Sequence, residues 1–193
     1  MKVELITSTP EHIISDMAKV CYGTKHDKDL TYSLVNKHKH LAVLRFAFAV
    51  IAVDDISIAC QNQLVRSKHL DFLVESKRYV KASKGNFTFI MPDNLTPENK
   101  TLMNMVFSEC MTTYQDLIDS GVKPEDARAV LPMNTSTKVR IAGNLQSWKD
   151  FIKLRLNDKA QKEIRHLAKE INNILAKEYP NVFKEHIDGK VNK

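Results

Sequence analysis

A chain of 193 residues with 43% hydrophobic and 27% charged side chains can bury a core without disulfides or metal, and it is too apolar to stay disordered. Its 29 Lys and Arg against 23 Asp and Glu leave a formal charge of +6, which favours anionic ligands such as nucleotides, phosphorylated cofactors or nucleic acid. Three scattered cysteines (Cys21, Cys60 and Cys110) offer neither a disulfide framework nor metal-ligand spacing, so buried thiols in a reducing interior are expected.

Met1-Lys-Val-Glu-Leu-Ile reads as the start of a first strand, Val3–Ile6, and lacks the apolar core of a signal peptide. Thr9-Pro10-Glu11 opens a helix that carries Ile13, Ile14, Met17, Ala18 and Cys21 on one stripe and stops at Gly23. A second helix over Lys28–Lys37 finishes in Lys37-His38-Lys39-His40, where basic residues suit a helix C-terminus. Leu41–Val53 is expected to be a strand covered on both faces, with Asp54 or Asp55 capping a helix over Ile56–Val65. Its apolar run, Phe46–Val53, is too short to span a membrane, so a soluble, cytoplasmic protein with no membrane partner is expected. Arg78–Ala82 and Phe87–Met91 read as two short strands around a Ser83–Asn86 turn. Thr96-Pro97-Glu98 launches the longest helix, to Ser120, with a continuous apolar stripe through Leu102, Met105, Val106, Cys110, Tyr114, Leu117 and Ile118; Gly121 stops it. A short helix follows over Pro124–Leu131, then a strand over Thr137–Ile141. A helix capped by Asn144 turns Leu145, Trp148, Phe151 and Ile152 inward. A last long helix after Asn157-Asp158 runs to Glu178. The pattern predicts a single α+β domain over residues 1–188, a mixed or antiparallel sheet packed with several long helices, and a disordered tail at 189–193.

The most chemically loaded stretch is Gln63 to Tyr79. It gathers Arg66, Lys68, Lys77, Arg78, His69 and Ser76 between an apolar helix and a β-like run. Cations, a hydroxyl and backbone N–H groups at an element boundary suit a phosphate or another multiply charged anion. The plain alternative is a solvated basic loop with a few buried anchors, since charge runs are usually surface.

Three blocks in register resemble the flavin-dependent thymidylate synthases, also called thymidylate synthase complementing proteins, over roughly residues 3–186. The family signature is Arg-His-Arg, two residues, Ser, four residues, Ser, one residue, Arg-Tyr. Here the same spacing holds Arg66, Ser67, Lys68, Asp71, Ser76, Arg78 and Tyr79, with Ser67, Lys68 and Asp71 departing in identity. Glu125-Asp-Ala-Arg-Ala-Val-Leu-Pro is similar to the family's Glu-x-Ala-Arg-x-x-Leu-Pro segment. Asn144 through Arg155 to Glu163 resembles its Asn-Ala-Arg-Ser-Leu…Leu-Arg…Ala…Glu stretch.

The resemblance implies a dUMP site at Gln63, Glu75, Ser76, Lys77, Arg78, Arg128 and Arg155. Arg155 and Gln63 would carry the uracil and act in catalysis, with Ser76, Arg78 and Arg128 on the phosphate side. It implies an FAD site at His40, Arg66, Ser67, Lys68, His69, Asn144, Gln146 and Asp150. Methylenetetrahydrofolate and NADPH would be co-substrates, and the assembly a homotetramer with shared sites; no metal is implied. The nucleotide residues match the family, whereas Arg45 stands for its Glu, Phe46 for its His, Gln146 for its Arg and Asp150 for its Asn. Charge changes at hydrogen-bonding positions are not neutral. Two other readings stay open. One is a related dUMP hydroxymethylase with weakened or lost flavin use, in which Asp71 or Asp150 serves as base. The other is a non-catalytic nucleotide- or nucleic-acid-binding homologue. The 7% aromatic content and the spread of basic residues argue against nucleic acid.

Overall fold

The computed structural model describes residues 1–23, 30–80 and 87–184. Four strands form one antiparallel sheet in the order β1 (Lys2–Ser8), β2 (Phe48–Ser57), β4 (Ser136–Asn144), β3 (Asp71–Val74). Helices α1 (His12–Tyr22), α6 (Leu145–Arg155) and α7 (Lys162–Glu178) cover one face of it. The core lies between them: Ala49, Ile51, Val53, Val139 and Ile141 of the sheet meet Ile14, Trp148, Phe151, Ile164, Leu167 and Ile171. In α7 the buried Ile164, Leu167, Ala168, Ile171 and Leu175 fall at helical spacing on one face, and burying each large one is worth about 1.5–3 kcal/mol. A smaller cluster of Phe87, Tyr114 and Ala127 joins α4 (Pro97–Asp119) to α5 (Pro124–Ala127) and the 3-10 turn Arg128–Val130.

The antiparallel α+β architecture matches the expectation, and so do the Thr96 cap of α4, the Asn144 cap of α6, and the stops at Gly23 and Gly121, whose φ of 61° and 91° suit a residue without Cβ.

Several local expectations are corrected. Leu41–Phe46 is a 3-10 helix, and Phe46 and Phe48 are more than half exposed; an apolar run reads alike as strand or buried helix. Neither Asp54 nor Asp55 is a cap. The strand continues through both over a bulge at which Asp55 takes a φ of 59°, and Ser57 caps α3 (Ile58–Leu64) by accepting from Cys60 N–H at 2.9 Å. Thr9 caps nothing: its Oγ1 accepts from Phe48 N–H, and α1 begins without a side-chain cap, as does α7. Arg78–Val80 is a turn, not a strand, with residues 81–86 outside the described set; Phe89 makes only an isolated bridge to Thr135. The stripe of α4 is not continuous core, because Leu102, Met105 and Val106 are exposed and Tyr114 is the buried anchor. Of the cysteines, Cys60 is buried, Cys110 intermediate and Cys21 exposed. The second helix is described from Leu30, as α2 (Leu30–Tyr32) continuing into a π-helical turn over Ser33–Lys37, and the expected tail at 189–193 lies outside the described residues. Among the described residues no helix is long and apolar enough to cross a membrane.

Candidate functional site

Helix α3 is held firmly at its start. Ile58 N–H donates to Thr135 O at 3.1 Å and Ala59 N–H to Met133 O at 2.9 Å, while Cys60 N–H is taken by the Ser57 hydroxyl. The first-turn amides of α3 are therefore spent on protein partners and offer no anion cradle. One turn further, Gln63 Nε2 donates to Gln161 Oε1 and, at 3.3 Å, to Ala59 O. Arg155, at the end of α6, donates from Nη2 to Gln63 O at 2.6 Å, and its buried Nε has no partner among the described residues. The two residues expected to carry the base thus sit together, with guanidinium donors still to be satisfied.

On the other side of α3, a cavity of about 400 Å³ opens between Ile58 and Gln61, the turn after β3, and Arg128. Glu75 N–H extends the β3–β4 ladder by donating to Lys138 O at 2.9 Å. The chain then turns, with Tyr79 and Val80 N–H donating to Ser76 O at 3.2 and 3.0 Å. Glu75, Ser76, Lys77 and Arg128 line the cavity together.

Lys77 is 8% exposed; its ammonium pairs with Glu75, donates to Ser136 O at 2.8 Å and lies 3.8 Å over the Phe87 ring. Burial pulls the Lys77 pKa below its ordinary value, and the Glu75 carboxylate opposes that shift. Arg78 is not in the lining. Its Nε and Nη2 donate to Glu125 Oε2 at 3.1 and 2.7 Å, on the exposed surface. Arg128 Nε donates to Glu125 O at 3.1 Å, so Glu125 ties both arginines in place.

The expected flavin residues spread over three elements. Arg66, Lys68 and His69 are exposed on the α3–β3 loop, where Ser67 O accepts from Leu70 N–H at 3.3 Å. Leu70 is buried against Gly143 of β4, where a Cβ would stand 2.3 Å from Leu70 Cδ2. Asn144 is used as the α6 cap, its Oδ1 accepting from Ser147 N–H at 2.9 Å and Oγ at 3.0 Å. Gln146 Nε2 donates to Asp150 Oδ1 at 2.9 Å. His40 is exposed where the π-helical turn meets the 3-10 helix, its ring 6.0 Å from that of His38. Two buried oxygens, Ser67 Oγ and Gln146 Oε1, have no hydrogen-bond partner among the described residues. Orphaned buried polar atoms are what a polar ring system can satisfy, so the residues present fit a flavin.

Sequence reasoning gave Glu125, Gln61, Gln161 and Glu163 no place in the site. Glu125, Gln161 and Glu163 lie in or beside the blocks quoted above; Gln61, two residues before the first block, carried no signal. Burial pushes the Cys60 thiol up, with the Glu163 carboxylate adding to it, which leaves an inert rather than a nucleophilic sulfur. Among the described residues no group of three His, Cys, Asp or Glu is placed to hold a metal.

Comparison with known proteins gives a consistent result. The family model described as thymidylate synthase complementing protein matches residues 4–181. The flavin-dependent thymidylate synthase of Saccharolobus solfataricus is 29% identical over 195 residues, covering 95% of this chain and 75% of that protein. The enzyme of the same name from Geobacter sulfurreducens is 29% identical, covering 96% and 86%, and that of Clostridium tetani is 30% identical, covering 95% and 86%.

Proposed function

Because the chain belongs to the thymidylate synthase complementing proteins, we propose that it is a flavin-dependent thymidylate synthase that transfers one carbon from methylenetetrahydrofolate to C5 of dUMP. The observation that carries this reading is the cavity that brings Ser76 and Arg128 together beside α3, the helix whose Gln63 meets Arg155. A phosphate monoester near charge −2 is met there by the Arg128 guanidinium, the Ser76 hydroxyl and turn N–H groups. The Gln63 amide oxygen, with the amide N–H groups given to Gln161 and Ala59, accepts from the uracil N3–H. Donors of Arg155 to a uracil carbonyl oxygen stabilise the negative charge that develops as C5 reacts. Arg66, Ser67, Lys68, His69, Asn144, Gln146, Asp150 and His40 would hold FAD. When bound, reduced FAD supplies the hydride, and NADPH restores it. The chain orients the base against the carbon donor and keeps water from the reacting carbon.

The exposed Leu102, Met105 and Val106 of α4, with Phe48 and Leu73 on the open sheet face, support assembly of several copies, and we assign a homotetramer.

A second reading draws on the Gln146–Asp150 hydrogen bond. Two flavin-side residues that bond each other offer a cofactor fewer groups, which favours a dUMP hydroxymethylase in which water completes the reaction. The visible spectrum during FAD titration, with and without dUMP, separates the readings. A flavin band that shifts on adding dUMP is the expected result. No flavin binding with dUMP still bound by calorimetry would favour hydroxymethylation, and no dUMP binding would overturn both.

A further inference from the structure

Glu163 stands outside the nucleotide and flavin sets, yet its carboxylate holds both polar groups of Ser57. Glu163 Oε1 accepts from Ser57 N–H at 2.8 Å, and Oε2 accepts from Ser57 Oγ at 2.6 Å. Ser57 is 1% exposed, and its oxygen in turn takes the Cys60 N–H that opens α3. Two residues before Glu163, Gln161 accepts from Gln63. The start of α7 therefore grips α3 at both ends: through Ser57 at the cap, and through Gln63 in the last turn.

Between those two grips, α3 presents Ile58 and Gln61 to the nucleotide cavity and gives the Gln63 carbonyl to Arg155. Charge-assisted hydrogen bonds to two adjacent donors fix direction as well as distance. A displaced Ser57 would move the cavity wall and the Arg155 contact together.

We propose that Glu163 is a positioning residue for nucleotide binding, setting α3 through Ser57 so that Gln63 and Arg155 meet the base in register while Gln61 keeps its place in the cavity wall. This rests on the nucleotide reading above. Loss of a carboxylate that only stabilised the fold would lower the melting temperature and leave dUMP affinity alone.

The test is calorimetric titration of the full chain with dUMP, with melting temperatures recorded alongside. Glu163→Ala is expected to weaken dUMP binding about tenfold, because only part of what the two charge-assisted bonds to Ser57 contribute passes into the alignment of α3. Glu163→Gln keeps the reach and an acceptor for Ser57 N–H, and is expected to stay within about threefold. Tyr179→Phe breaks bonds to Thr9 O and Phe48 O away from the site, and is expected to melt lower with affinity unchanged. If Glu163→Ala does not fold, Ser57→Ala decides, with about a fivefold weakening expected from loss of the cap and its tie. Unchanged affinity in Glu163→Ala or, failing that, Ser57→Ala would overturn the proposal. So would a loss in Tyr179→Phe as large as theirs. Absence of dUMP binding by the unmodified chain would overturn the nucleotide reading itself, and this inference with it.

Discussion

Arg128 and Arg78 share Glu125 but are committed to different degrees. Arg128 gives one N–H to the Glu125 carbonyl and lines the cavity, leaving most of its guanidinium for a ligand. Arg78 closes on the Glu125 carboxylate with two contacts. Arg128→Ala is therefore expected to weaken dUMP binding by about 1–3 kcal/mol, the range for charge-assisted contacts. Arg78→Ala removes an exposed ion pair and is expected to cost less than about 1 kcal/mol. Calorimetric affinities of the two variants check this. Equal losses would mean that the pair with Glu125 opens when nucleotide binds. This difference is invisible in the sequence, where both arginines match the same family pattern. What separates them is the Glu125 carboxylate, 47 positions from Arg78 and brought to it by tertiary packing.

The same contrast holds one level up. Helices α6 and α7 were legible because a one-sided core imposes a 3.6-residue period, and the ends of α4 because hydroxyl, Pro and Gly fix local backbone geometry. The face α4 buries was not legible: its apolar residues sit at helical spacing whether or not anything covers them, and Leu102 and Met105 are left open. β3 has only Asp71–Val74, too few residues to display alternation, and pairing with β4 makes it a strand.

That short strand is anchored by Leu70, whose side chain occupies the space over Gly143. Gly143→Ala would force the buried Leu70 aside, with a cost of about 1–3 kcal/mol expected from overpacking. The denaturant midpoint measures it, and Leu70→Ala should cost less in the Gly143→Ala background than in the unmodified chain. Equal costs in the two backgrounds would place the strain elsewhere.

At the scale of the whole molecule, one surface and one tether carry predictions. If the open α4 face joins copies, Met105→Glu should give a smaller species by sedimentation, since a charge buried at an apolar contact is strongly disfavoured. An unchanged species would remove α4 from the interface. The tether is Tyr179, fully buried, with its hydroxyl donating to Thr9 O at 2.8 Å and Phe48 O at 3.2 Å. It fastens the end of α7 to the edge where β1 leaves β2. Burial pushes its pKa up to about 12 from the ordinary tyrosine value near 10. A raised folded-state pKa means that this contribution is complete below about pH 10. It is lost as pH climbs towards 12, because the unfolded chain ionises there while the buried phenol resists. The expected loss over that window is about 2–3 kcal/mol. Lysines titrate in the same range, so the measurement is the difference in unfolding free energy between the unmodified chain and Tyr179→Phe, at pH 9 and pH 12. The gap should narrow at the higher pH, because the variant has no phenol to ionise. A constant gap would mean that Tyr179 ionises in the folded chain as readily as in the unfolded one, and that its hydroxyl does not fasten α7 to the sheet.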